Sequence, residues 1–421
     1  MRKLAEVFRL ELRSLVRSRA VAMLTIASVA WMLALPGIVR GDGTAEGARE
    51  LCIRFSLGGV FALLVVSLLA SSAGSLARER EANRLQLTAI RPVRHFAIAL
   101  GAIFAHVAVG AAVLAVACVV LAFRTDLSAP CSHVLRPVMP SVQEEAKAMY
   151  AVYMADTNTP AAVRQAKKSV VLRLLANRAI DRYDTIGTNE TARWKFRLDG
   201  VDGLDGLAVR MRFTNQFEMR QEVRGDFALG PLHASVSNIT QAVLTVPLGR
   251  SAAGRGETPG ELTFANRGTS AVMLRPRRDV ELLAPADSFW RNMVRAYLEM
   301  VGVLSLIVAF GTALSAGLGR PVALFVAFVA LTVSEMSPSV VEQYPDELET
   351  SAVDRIGLVI TRFAADITRP VSSLSPLGKL SRDECVEPGE VAWMLAADLC
   401  VLPLLLSLLA GLAVSRKHDA G

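Results

Sequence analysis

The sequence predicts an α-helical membrane protein: a six-span helical bundle with an amphipathic N-terminal helix and an inserted extracytoplasmic α+β region that contains a β-sandwich. The 421-residue chain is 52% hydrophobic but only 6% aromatic, and its mean hydropathy is +0.39, above the norm of water-soluble domains. Its apolar residues form uninterrupted blocks of about 20 residues, the length that crosses a bilayer. A long segment between two blocks instead alternates apolar and polar side chains, which is typical of strands.

Residues 1–123 are predicted to contain the amphipathic helix and the first three spans. In Arg2–Arg19 the apolar side chains recur at helical spacing and the arginines lie elsewhere around the helix, the pattern of a helix at the membrane interface. A polar connection, Arg40–Arg54, separates the first two spans. The three spans are Ala20–Val39, Phe55–Leu76 and Phe96–Phe123.

Basic residues indicate the orientation of the chain. They are concentrated in the N-terminal helix, in the loop Arg78–Arg94 and in the tail at Arg416 and Lys417. The positive-inside rule places these segments, and therefore both termini of this multi-pass cell-membrane protein, in the cytoplasm. The net charge of +7 is explained by arginine beside apolar blocks, so no nucleic-acid partner is expected.

The same topology places residues 124–287 outside the membrane. Residues 141–182 are rich in helix-forming residues, break at Asn158–Pro160 and have Ser141 as a candidate N-cap. Residues 192–284 change to a period of two, and about seven short strands in such a segment predict a β-sandwich. The strands are expected near 194–198, 207–213, 223–229, 242–246, 261–266, 271–274 and 280–283.

Residues 288–421 are predicted to contain spans four to six. Trp290 and Tyr297 resemble an interfacial anchor before the fourth span. The spans are Met300–Leu318, Val322–Val333 and Val391–Val414, with an extracytoplasmic loop over residues 336–390. Proline residues divide this loop and interrupt any long helix.

The chain has five cysteines and no CxxC pair, so neither a zinc site nor a redox motif is predicted. Cys118 and Cys400 lie in apolar blocks and are interpreted as packing residues. The other three are extracytoplasmic in this topology. The sequence therefore allows one disulfide among Cys52, Cys131 and Cys385 and does not assign its pairing.

Motifs of catalysis are missing from the sequence. It contains no GxxxxGK[ST] loop for nucleotides, no HExxH metal motif and no GxSxG nucleophile motif. Its five histidines are scattered. We therefore expect no catalytic residue, metal site or cofactor in this chain.

Three ionisable residues at membrane depth are candidate functional groups, because burying a charge there costs about 2.5 kcal/mol or more. His106 lies in the third span, Glu299 near the outer end of the fourth and Asp398 in the sixth. Two interpretations stay open for them: polar groups within helix packing, or members of a translocation path.

The loop between spans two and three is the most informative segment. It can form a short amphipathic helix along the inner surface that ends before Pro92, because proline disfavours helix in the preceding residue. Its alternating basic and acidic residues are more than the positive-inside rule needs to orient the chain in the membrane. Two interpretations stay open: the loop is a docking surface, or it is a solvated basic loop that serves only to set the topology. The candidate docking residues are Arg78, Glu79, Arg80, Glu81, Arg84, Leu87, Arg91 and Pro92.

The order of these segments resembles the membrane subunits of type 2 ABC exporters, chiefly over residues 1–123. The amphipathic helix and two spans are followed by a Glu-bearing loop that runs through Leu85-Gln86-Leu87 to Arg91-Pro92-Val93 and Ile98-Ala99-Leu100-Gly101. The chain departs from the family pattern in three places, one of which is the large insertion after span three, longer than in compact members. Asn83-Arg84 stands where Gly-Thr is usual, and Ala102 stands where lysine is usual.

The resemblance implies an ABC transporter permease of a bacterial inner membrane. Such a subunit works in membrane lipid as a homodimer or paired permease, and a separate cytoplasmic ABC ATPase binds and hydrolyses ATP for it. On this sequence the coupling helix maps to Arg78–Ile90. The alternative is a membrane-anchored scaffold or adhesion protein that displays its β-sandwich without transport.

Overall fold

The fold is that of a computed structural model, which describes residues 2–38, 45–76, 95–124, 130–156, 159–160, 164–180, 182–198, 206–214, 221–240, 243–250, 260–342 and 375–419. The chain divides into two compact units. The helical unit contains residues 1–130, 288–338 and 361–421. The sheet unit contains residues 131–287 and 339–360.

The helices are numbered along the chain. They are α1 (Arg2–Val16), α2 (Arg19–Ile38), α3 (Ala45–Ser72), α4 (His95–Arg124), α5 (Val142–Ala155), α6 (Lys168–Ile180), α7 (Pro276–Asp279), α8 (Phe289–Gly317), α9 (Arg320–Glu342), α10 (Ser375–Ser381), α11 (Pro388–Met394) and α12 (Leu402–Asp419). A π-helix, Leu395–Val401, joins α11 to α12.

Several helices have the length and composition of membrane spans. Among the described residues four stretches qualify: Gly47–Ser72, His95–Phe123, Phe289–Gly317 and Pro388–Ser415. Helices α1 and α2 meet at a bend of 63° and together would form one further, broken span. The apolar part of α9 is shorter. The helical unit is thus compatible with a multi-pass membrane protein, whereas the count of six spans stays a prediction.

Helix α3 begins earlier than the sequence predicts. It starts at Ala45, so the expected polar connection Arg40–Arg54 is helical over its second part. Ion pairs hold this first part of α3. Arg49 pairs with Asp383 at 3.0 Å, and Glu50 with Arg382 at 3.7 Å.

Helix α8 also starts before its predicted span. It is continuous from Phe289, and Ser288 caps it by accepting a hydrogen bond from the backbone N–H of Arg291. The expected interfacial anchor is therefore the first part of the same helix. Helix α9 continues to Glu342, beyond the predicted end at Val333.

Helices α3, α4 and α8 provide most of one large apolar core. Fully buried side chains from all three, such as Leu64, Leu114 and Leu304, belong to it. Helix α12 packs against α4 and α8, and α1 packs against α4. Helix α8 is the most enclosed of the four long stretches, with 78% of its apolar window buried. Polar side chains of α8 such as Ser305, Thr312 and Ser315 are buried within the protein.

The sheet unit contains antiparallel strands. They are β1 (Pro130–Leu135), β2 (Asp184–Ile186), β3 (Thr191–Lys195), β4 (Ala208–Arg212), β5 (Glu222–Leu229), β6 (Leu232–Ile239), β7 (Val243–Pro247), β8 (Gly249–Arg250), β9 (Glu261–Asn266), β10 (Val272–Leu274) and β11 (Val280–Ser288). In the described part of the chain they form sheets in the orders β1-β11-β4-β7 and β3-β9-β5-β6-β8, and a pair β2-β10. The pairings β11–β4, β4–β7, β3–β9, β9–β5, β5–β6, β6–β8 and β2–β10 are antiparallel.

Alternation of side chains explains these strands. In β5, Val223, Phe227 and Leu229 are buried whereas Glu222 and Arg224 are exposed, as a pleated strand with one face inward requires. Buried residues of both larger sheets join one apolar cluster. The ring of Phe264 lies 4.9 Å from that of Phe213 and 4.8 Å from that of Phe227, measured between centroids. The prediction of strands in this segment is confirmed.

Four strands were not predicted: β1, β2, β6 and β8. Strand β6 reads Leu-His-Ala-Ser-Val-Ser-Asn-Ile, and its small polar side chains hide the alternation. It nevertheless pairs with β5 along its length, from Leu229–Leu232 to Glu222–Ile239. Its position is fixed by its partner strand.

Helix α5 has a complete capping box. Ser141 Oγ accepts the backbone N–H of Glu144 at 3.1 Å, and the Glu144 carboxylate accepts the backbone N–H of Ser141 at 2.8 Å. The next residue, Glu145, is bonded by Arg277 at 2.7 Å and by Arg182 at 2.9 Å. Burial alone would raise the pKa of Glu145, but the hydrogen bonds from Arg277 and Arg182 lower it below its usual range.

The cysteines divide into two states. Cys131 and Cys385 are disulfide-bonded, whereas Cys52, Cys118 and Cys400 are free thiols. Cys52, one of the three candidate disulfide cysteines from the sequence, is therefore not disulfide-bonded. Cys118 is buried, as its place in an apolar block predicts, but Cys400 is exposed on its helix.

Candidate functional site in the helical unit

The predicted coupling residues lie outside the described residues. This holds for Arg78, Glu79, Arg80, Glu81, Arg84, Leu87, Arg91 and Pro92. These residues belong to the loop Arg78–Arg94, which we call the charged segment. The structure describes the chain on both sides of it, up to Leu76 and again from His95. The candidate site is therefore built from these flanking helices and from the three polar residues predicted within the spans.

Both flanks of the charged segment belong to one small apolar cluster. Leu76, before the segment, and Ile98, after it, are buried together with Ala316 and Ala410. These four residues come from the end of the α3 region, the start of α4, the end of α8 and α12. The cluster therefore joins the two ends of the charged segment to the rest of the bundle.

Helices α1 and α12 also contact the first turns of α4. A Cβ at Gly101 would lie 2.7 Å from Val7 Cγ1, and a Cβ at Gly411 would lie 2.9 Å from the backbone nitrogen of Phe96. Such distances are below normal contact, so each glycine permits an approach that a side chain would block. Helix α4 is therefore held by α1 and by α12 directly after the charged segment.

His106 links α4 to α3. It is buried, its Nδ1 lies 2.8 Å from the carbonyl oxygen of Ala102, and its Nε2 lies 3.0 Å from Ser71 Oγ. A neutral imidazole satisfies both contacts when Nδ1–H donates to the carbonyl and Nε2 accepts from the hydroxyl. These bonds favour the packing interpretation of His106.

Glu299 lies on the enclosed helix α8 and is only 3% exposed. The charged groups that act on it are Lys379 of α10 and Glu390 of α11. These two form an ion pair with each other at 2.7 Å.

Asp398 is the central residue of the π-helix Leu395–Val401. It is fully buried, and neither of its carboxylate oxygens has a hydrogen-bond partner. Gly302 of α8 faces it: a Cβ at Gly302 would lie 3.7 Å from Asp398 Cβ and 4.0 Å from Oδ2. The carboxyl group is thus held against the surface of α8.

Glu299 and Ser305 each lie three residues from Gly302 on α8, so each neighbours Gly302 on the helix surface, while the two are about 120° apart around the helix axis. Ser305 is fully buried, and its Oγ has no hydrogen-bond partner. The structure thus brings Glu299 and Asp398 to facing elements, α8 and the π-helix, while His106 is bonded to α3. We call Glu299, Ser305 and Asp398 the buried polar cluster.

Sequence reasoning found the two acids of this cluster and missed Gly302, Ser305 and the π-helix. A glycine and a serine at successive three-residue steps from Glu299 were a usable signal, because they interrupt the apolar surface of the helix. Nothing local in Leu395–Val401 indicates π geometry. Such turns occur frequently at functional sites.

An open apolar cleft of about 600 Å³ lies beside the cluster. It is bordered by Val301 and Leu399, the chain neighbours of Gly302 and Asp398, and by α1 and α4 through Leu4, Phe8, Phe104 and Val107. All the described side chains that line the cleft are apolar. It therefore offers Asp398 no polar side chain.

Within the described ranges, no group of three or more His, Cys, Asp or Glu side chains could hold a metal ion. No family model, no curated protein and no solved structure matches this chain.

Proposed function

We propose that this protein is the membrane subunit of an ATP-driven exporter. In this proposal six spans cross the membrane with both termini in the cytoplasm, the sheet unit is an extracytoplasmic β-sandwich domain, and two permease subunits pair. ATP is bound and hydrolysed by a separate cytoplasmic ATPase. The charged segment, with Glu79 and Glu81, is the surface on which that ATPase docks.

The apolar cluster of Leu76, Ile98, Ala316 and Ala410 carries this proposal. Because both flanks of the charged segment belong to it, a displacement of the segment moves the ends of several helices together. The contact of Val7 at Gly101 adds α1 to this group. In this proposal, a movement of the charged segment is passed to these helices.

The cysteine states support the proposed sidedness. Disulfides persist in oxidising compartments outside the cytoplasm. Cys131 and Cys385 are disulfide-bonded, and both lie on the outer side in the proposed topology. The free Cys52 is consistent with either side.

Reversal of charge tests the docking surface. Glu79→Lys combined with Glu81→Lys should weaken the copurification of a P-loop ATPase and its stimulation in the complex, because like charges then oppose at the contact. Orientation should be retained, since added positive charge agrees with the inner side. Glu387→Lys, at an exposed residue, is the matched control. Unchanged binding and stimulation in the double variant would leave the segment as a topology signal.

A second variant tests the transmission of movement separately from docking. Gly101→Val should push α1 away from α4 and reduce ATPase stimulation while the ATPase still copurifies. Gly317→Val is its control, because a Cβ at Gly317 meets no atom within 4 Å. Equal stimulation by both variants would contradict the role of the α1–α4 contact.

The alternative is a membrane-anchored scaffold or adhesion protein that displays the sheet unit. It predicts that no P-loop ATPase copurifies with the native protein, and that deletion of the sheet unit abolishes adhesion. A stable complex with an ATPase whose activity depends on this chain would exclude it.

A further inference from the structure

Asp398 is an acid without a partner in an apolar interior. Both of its oxygens are buried and unbonded, and it lies about 15 Å along the helix axis from Pro388, where this helical stretch begins. An ionised carboxylate in such surroundings is strongly unfavourable unless a cation or hydrogen-bond donors compensate it. The carboxyl group is therefore expected to hold a proton.

The elements packed against the π-helix are α8, α11 and α12. Helix α8 contributes Glu299 one turn from Gly302, and α11 contributes Glu390, which pairs with Lys379 of α10. The titratable residues of α12 begin only at Arg416, near its end. Burial is the influence that acts on Asp398 itself, so no neighbouring cation replaces the proton.

We propose that Asp398 is a proton-binding site at the contact between the π-helix and α8. The proposal concerns a ligand, the proton, that the proposed transport cycle does not require. Its test needs no ATPase.

The site lies at the close contact between Gly302 and Asp398. The Asp398 side chain is fully buried there. Ser305, one turn from Gly302 on α8, is also buried, and its hydroxyl has no hydrogen-bond partner.

Infrared spectroscopy of the full chain in phosphatidylcholine nanodiscs tests this site. At neutral pH the native protein should show the C=O band of a protonated carboxyl group in an apolar environment, and Asp398→Asn should abolish it. Glu299→Gln should keep the band, which separates Asp398 from the other buried acid in the described part of the bundle. Glu387→Gln, at an exposed residue, should match the native protein.

The proposal is overturned if the native protein lacks this band, if Asp398→Asn retains it, or if a carboxylate band that responds to sodium replaces it. Loss of the band in Glu299→Gln would assign it to Glu299 and also overturns the proposal. If Asp398→Asn does not fold, Asp398→Glu decides the assignment, because moving the carboxyl by one methylene must shift the band if it belongs to this residue.

Discussion

The side chain of Asn292 holds the backbone N–H of Val386: its Oδ1 accepts that N–H at 2.7 Å. The Nδ2 of the same amide donates to the carbonyl oxygen of Glu384, also at 2.7 Å. Asn292 is fully buried on α8, so one side chain brackets the disulfide-bonded Cys385 from both sides. This bracket ties the segment before α11 to the start of α8.

Replacement of Asn292 should therefore destabilise the helical unit. Asn292→Ala removes the hydrogen bonds to the N–H of Val386 and to the carbonyl of Glu384, and we expect a loss of about 2 kcal/mol or more. The measurement is thermal unfolding of the purified protein in detergent. Val294→Ala, at a half-exposed position of the same helix, is the control, and equal unfolding temperatures for the two variants would contradict the bracket.

The oxidation states of the cysteines predict a count of labelled thiols. Denatured without reductant, the protein purified from its membrane should react with a maleimide at Cys52, Cys118 and Cys400. After reduction all five cysteines should react, as counted by mass spectrometry. Cys52→Ser should lower both counts by one, and a full count before reduction would show that the disulfide-bonded state is wrong.

Acid should remove the stabilisation that Glu145 provides. Because its pKa is lower in the folded protein, its contribution is complete above the unfolded pKa of about 4.3. It is lost as the pH falls through the folded pKa. Glu145→Gln should therefore unfold at a lower temperature than the native protein at pH 7, and the difference should shrink towards pH 3. Glu387→Gln should show no such convergence; a constant difference for Glu145→Gln would refute the prediction.

The limits of the sheet unit predict which fragment folds alone. Residues 130–287 contain β1 and β2, whereas a fragment of residues 188–286 lacks the edge strand beside β11 and the partner of β10. We expect the longer fragment, carrying Cys131→Ala, to melt cooperatively with a β-rich circular-dichroism spectrum and the shorter one to melt less cooperatively. A cooperative melt of equal midpoint for both would show that β1 and β2 contribute little.

The sequence predicted the elements whose side-chain pattern is local. The alternation of Val223, Phe227 and Leu229 predicts β5, and Ser141 with Glu144 predicts the start of α5. The apolar blocks predict the long helices, although ion pairs at Arg49 and Glu50 extend α3 beyond its block. Such extensions depend on Asp383 and Arg382, far along the chain, and are therefore invisible to a local pattern.

The candidate site was predicted only residue by residue. Glu299 and Asp398 stand out because a charge is costly in a span, but their common location depends on the packing of α8 against the π-helix at Gly302. The pattern also could not decide the role of His106. Its bonds to Ala102 and Ser71 come from the arrangement of α3 and α4.

The π-helix has a consequence for the shape of the last span. An α-helix turns by about 100° with each residue, and a π-turn accommodates an additional residue in its wider ring. Conversion of Leu395–Val401 to α geometry would thus rotate α11 relative to α12 by about 100° around the helix axis. Asp398 would rotate around the axis as well. Removal of a single residue there should leave the faces of α11 and α12 in register. The same deletion between Glu299 and Ser305 of α8 would rotate one of them by about 100° relative to the other. We therefore expect the last span to tolerate a one-residue deletion better than α8 does.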